Sequence, residues 1–114
     1  MTEMLTIVKQ LGHLSRDLDE AVKRLGELEE IAVDAEGDYK VAFAKVFRGT
    51  PGSVEERKQI ATEETIDQWR VWGKAAAVVR LQKEHVKALH ARIDVGRTIQ
   101  STARAEMQLA GGQL

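Results

Sequence analysis

The chain has 114 residues, 31% of them charged and 43% hydrophobic, with a single proline, no cysteine and a formal net charge of −1. That composition fits one soluble helical domain and excludes a disulfide framework, a thiolate metal site and a cysteine nucleophile. It also argues against a generic polyanion binder, and with 4% aromatic residues it leaves only a thin core.

From the N-terminus, Met4, Ile7, Leu11, Leu14, Leu18, Ala21, Leu25, Leu28, Ala32, Ala35, Tyr39, Ala42 and Val46 recur in alternating steps of three and four. An unbroken heptad seam of this kind predicts a coiled-coil helix over about residues 3–48. The cluster Arg48-Gly49-Thr50-Pro51-Gly52-Ser53 then ends it, since two glycines and the only proline mark a turn. Ser53-Val54-Glu55-Glu56 reads as a capping box, which starts a second helix at about residue 54. In that helix Thr65, Trp72, Val79, Val86, Ile93, Gln100 and Met107 recur every seven residues, interleaved with Ala61, Ala75 or Ala76, Leu89 and Ala103. The second helix is expected to run to about residue 109, before Gly111 and Gly112.

These elements give an all-α fold, one domain over 1–114 in which two long helices pair as an antiparallel hairpin about a turn at 49–53. Folding there sets residue i roughly opposite residue 104 − i, which places Ala32 and Ala35 against Trp72 and Trp69. The expected core is Leu11, Leu14, Leu18, Leu25, Leu28, Trp69, Trp72, Val79, Val86 and Ile93. Residues 1–38 hold ten acids and four bases, whereas residues 68–105 hold eight bases and two acids. An acidic arm beside a basic arm favours the antiparallel pairing and would neutralise the basic one.

Off the seam, the second helix repeats Val78, Leu81, Ala88, Val95 and Ile99. Two helices cannot bury both stripes, so this one predicts a partner, either a second copy forming a dimeric four-helix bundle or another protein. Arg48, Arg57 and Lys58 at the turn are further candidate contacts. The bases Arg70, Lys74, Arg80, Lys83, Lys87, Arg92, Arg97 and Arg104, with Trp69 and Trp72, form the alternative pattern of a nucleic-acid surface.

Nothing in the chain predicts catalysis or a cofactor. His85 and His90 are five residues apart rather than the four that share a helix face, and pairing brings only His13 towards His90. The carboxylates at Asp17, Asp19, Glu20 and at Glu27, Glu29, Glu30 read as solvated faces. The chain lacks a phosphate loop, a nucleophile elbow and a calcium loop, and it has no apolar run of the ~18 residues that would span a bilayer. A cytoplasmic location is the expectation.

Three segments, Val41-Ala42-Phe43-Ala44-Lys45-Val46-Phe47, Gly52-Ser53-Val54-Glu55-Glu56-Arg57-Lys58 and Ile93-Asp94-Val95-Gly96-Arg97, resemble a family of short helical, functionally uncharacterised phage and prophage proteins. The resemblance covers roughly residues 15–105. It implies a phage origin, in early regions that also encode DNA replication and recombination functions. It carries over no catalytic or ligand residue. Trp69, Trp72 and Thr50-Pro51 depart from the family's pattern, which bears on partner specificity. The expected function is therefore that of a non-enzymatic accessory or adaptor protein. It would bind a phage DNA-metabolism protein or inhibit a host one. Direct nucleic-acid binding and structural self-assembly are the alternatives.

Overall fold

The computed structural model describes residues 2–112 and is all-α, with the chain order α1 (Thr2–Gly49), α2 (Val54–Glu64) and α3 (Ile66–Gly112). It is a helical hairpin divided into two compact units: a terminal unit of residues 1–23 with 83–114, and a distal unit of residues 24–82. In each unit a stretch of α1 packs against a stretch running the other way.

The α1 seam is as the heptad spacing requires. All thirteen positions from Met4 to Val46 are buried or half-buried, with Ala21, Leu28 and Ala35 the most enclosed. On the returning arm of the hairpin, Ala61, Thr65, Leu89 and Ile93 are buried and Trp72, Val79, Val86, Gln100 and Ala103 half-buried, while Met107 is exposed.

At the turn, the Thr50 hydroxyl donates to the Val46 carbonyl at 2.6 Å, closing one of the orphan acceptors that end α1. Gly52 has φ +115°, the left-handed region open to a residue without Cβ. Ser53 then caps α2, its hydroxyl accepting from the Glu56 N–H at 3.2 Å, and the Glu56 carboxylate folds back over Gly52. The Arg57 side chain completes the turn. Its Nε donates to the Phe47 carbonyl at 3.0 Å, and its guanidinium lies 4.2 Å from the centre of the Phe47 ring. Ser53→Ala should cost about 1 kcal/mol through loss of the cap, measurable as a lower urea midpoint with an unchanged slope.

Three expectations about the hairpin need correction. First, the second helix is not continuous: Thr65 has φ −111°, ψ 16° and separates α2 from α3. Its hydroxyl donates to the Ala61 carbonyl at 2.6 Å, which also accepts the Thr65 N–H at 3.1 Å. The side chain is 1% exposed, so the bond sits in the seam rather than in water. Second, α3 continues through Gly111 to Gly112 instead of stopping near residue 109.

The third correction is the register. The 104 sum holds at the turn, where Arg57 meets Phe47. Beyond the break at Thr65, in the terminal unit, the pairing has slipped by about three residues, close to one helical turn. In the terminal unit Leu11 packs on Gly96, where the expected register would have brought it to Ile93. In the distal unit Trp72 stacks on Tyr39, with ring centres 5.5 Å apart and planes at 19°, and Trp69 is 50% exposed, not a core anchor. Leu11 on Gly96 sets facing numbers in the terminal unit at a sum of about 107.

Candidate functional site

The seven-residue spacing on each helix decides which side chains flank the seam. In the distal unit one flank carries a cleft of about 370 Å³ lined by Tyr39, Thr62, Ile66 and Trp69. Tyr39 also meets Phe43 edge-on at 6.1 Å, and Phe43 stacks with Phe47 at 6.4 Å, so an aromatic ladder runs from this cleft to the turn. The other flank carries a cleft of about 320 Å³ lined by Ala35, Asp38, Asp67, Gln68 and Val71. One heptad beyond Val71 on that flank comes Val78, followed by Leu81, and both are exposed, Leu81 to 70%. Ile31, one heptad before Asp38 on α1, is exposed as well.

In the terminal unit a groove of about 330 Å³ lies along one flank, lined by Glu3, Met4, Ile7, Thr98, Ile99, Thr102, Ala103 and Glu106. Val95 and Ala88, four and eleven residues before Ile99, fall on the same side of α3 and are exposed, Val95 to 59%. All five residues of the expected off-seam stripe are thus exposed, in their respective units.

The turn residues behave differently from one another. Arg48 and Lys58 are exposed, whereas Arg57 is half-buried and held on Phe47. The role of Arg57 in the fold is to tie α2 to the end of α1.

The charge arrangement also departs from the sequence reading. Among the described residues the ion pairs are Arg24–Glu27 at 3.0 Å, Glu36–Lys40 at 2.7 Å, Asp67–Arg70 at 3.9 Å and Glu84–Lys87 at 3.5 Å. Every one lies within a single helix and is exposed, where such pairs are worth a few tenths of a kcal/mol. No pair among the described residues joins α1 to α3, so the acidic arm does not neutralise the basic arm by contact.

The terminal unit shows why. Glu3 lines its groove, and Asp17 lies on the same flank of α1 two heptads later. On α3 the row Lys83, His90, Arg97 and Arg104, spaced by seven residues, runs along the opposite flank, where none of these residues lines the groove. Val8, Ser15 and Val22 stand at the α1 heptad positions on the same side of the seam as that row, and none is charged.

Among the described residues there is no cluster of three or more potential metal ligands. His13 and His90 fall on opposite flanks of the seam at the observed register, and Arg16 Nη2 lies 2.8 Å from His13 Nδ1. The carboxylates at Asp17, Asp19, Glu20, Glu27, Glu29 and Glu30 are exposed on α1, as expected of a solvated face. No helix among the described residues is long and apolar enough to cross a membrane. Compared with protein-family models, curated proteins and solved structures, the chain matches none.

Proposed function

We propose that this protein is a non-enzymatic accessory protein of phage origin. In the host cytoplasm it binds another protein, either a factor of phage DNA metabolism or a host factor that it inhibits. The observation that carries the reading is the outward apolar row of α3, Val78 and Leu81 in the distal unit and Ala88, Val95 and Ile99 in the terminal unit. Aliphatic side chains repeated on one side of a helix, outside the seam that holds the hairpin together, are the pattern of a surface awaiting a partner helix. The phage setting rests on the resemblance of the segments at 41–47, 52–58 and 93–97.

A dimer formed by two copies of the hairpin would cover the same row, as a four-helix bundle does. Tagged protein recovered from infected cells at moderate salt should retain a defined partner, and Leu81→Glu with Val95→Glu should reduce that partner at least tenfold while helicity is unchanged. Light scattering behind a sizing column separates the two uses of the row. A dimer that retains no other protein reads as self-association, and full retention by the double variant would sink both.

A further inference from the structure

We infer that the flank of the terminal unit opposite its groove binds the phosphate backbone of nucleic acid, through the α3 row Lys83, Lys87, Arg97 and Arg104. This goes beyond the protein-binding reading, because it concerns the other side of α3 and needs no partner on the apolar row.

Three observations carry it. The first is alignment: Lys83, Arg97 and Arg104 lie at multiples of seven residues, so they share one edge of the helix beside the seam, and Lys87 adds a fourth charge one turn after Lys83. From first to last the row covers about 32 Å of helix at 1.5 Å per residue. Nine or ten phosphates of one strand cover a similar length. The second is availability. All four side chains are exposed, and among the described residues only Lys87 of the four has a carboxylate partner, Glu84 at 3.5 Å, an exposed pair that phosphate can displace. The third is segregation. At the α1 heptad positions on the same side of the seam stand Val8, Ser15 and Val22, while Glu3, Asp17, Glu20 and Glu106 lie towards the groove flank. Asp94, Asp19 and Glu84, the partner of Lys87, are the carboxylates on the basic side, three against the four cations of the row. A near-zero net charge therefore conceals a side on which cations outnumber carboxylates, and an excess of this kind favours approach of a polyanion from that side.

Non-specific binding through four phosphate contacts should give a dissociation constant in the micromolar range at low salt and a log–log salt slope near −3.6 on duplex DNA, at about −0.9 per contact. Between 50 and 200 mM salt, affinity should then fall roughly 100-fold. The measurement is fluorescence anisotropy of a labelled duplex of random sequence titrated with the full chain. Arg97→Ala with Arg104→Ala should cut the slope by about two contacts' worth, roughly 1.8. Arg92→Ala removes one cation from the groove flank of the same unit and should leave the slope unchanged. Far-UV circular dichroism confirms that each variant is folded.

The inference is overturned by absence of binding at 100 μM protein in 50 mM salt. It is equally overturned by a slope indifferent to the Arg97/Arg104 pair, or by an Arg92 variant that weakens binding as much. Equal affinity for polyglutamate would assign the face to an acidic protein instead and would also overturn it.

Discussion

Leu89→Ala should destabilise the protein by about 3 kcal/mol, within the range of 2 to 5 found when a buried leucine is truncated. Leu89 is 2% exposed and is among the most completely enclosed large side chains of the chain. Ile93, one turn further along α3, is buried as well, and Leu11 packs on Gly96 just beyond it. Most of the seam around it is half-buried, so little neighbouring side chain is available to collapse into the space left by three lost carbons. A two-helix layer also has no third element to share the loss. Urea denaturation should show the midpoint falling sharply. Met107→Ala, on the same helix but exposed, should change stability by less than about 0.5 kcal/mol. If the two substitutions cost the same, the seam does not hold the terminal unit together.

The helices and their inner edge are legible in the sequence because a heptad repeat maps directly onto one side of a helix, whatever lies opposite. The turn is legible too, from Pro51, Gly52 and the Ser53 cap. The register is not, and the reason is local. Sequence spacing measures pairing from the centre of the turn, which is correct for Arg57 on Phe47. It does not reveal that the returning arm is interrupted at Thr65, where φ is −111° and ψ 16°, before pairing resumes. Threonine at a seam position resembles any other small β-branched residue in the pattern.

Two further differences accompany that slip of nearly one turn. Trp69 does not pack on Ala35 but stands half in solvent beside the Tyr39 cleft, and the stack of Tyr39 on Trp72 has no counterpart in the expected pairing. A count of charges per helix predicts neutralisation, whereas the relevant quantity is which flank each charge occupies. The seven-residue spacing of Lys83, Arg97 and Arg104 is itself enough to separate them from Arg92 and Lys74. The outward apolar row is legible for the same reason that the seam is, since it depends on one helix alone.

Replacing glycine by alanine at residues 26, 37 and 73 together should raise stability by about 2 to 3 kcal/mol, because each glycine inside a helix costs up to about 1 kcal/mol relative to alanine. All three lie within helices, and a Cβ built at any of them meets nothing within 4 Å. None has a left-handed backbone that would require glycine. Gly96 has the same intrinsic cost but the opposite environment: a Cβ there would lie 2.6 Å from Leu11 Cδ2 and 3.3 Å from Leu11 Cγ. The missing side chain is the hole into which Leu11 packs. Gly96→Ala should therefore lose its helix-propensity gain to displacement of Leu11, and Gly96→Leu should cost about 1 to 3 kcal/mol by overpacking. Thermal melts of the triple variant and of the two Gly96 variants make the comparison. A melting point raised by Gly96→Leu as far as by the triple substitution would contradict the pairing of Leu11 with Gly96, and with it the register of the terminal unit.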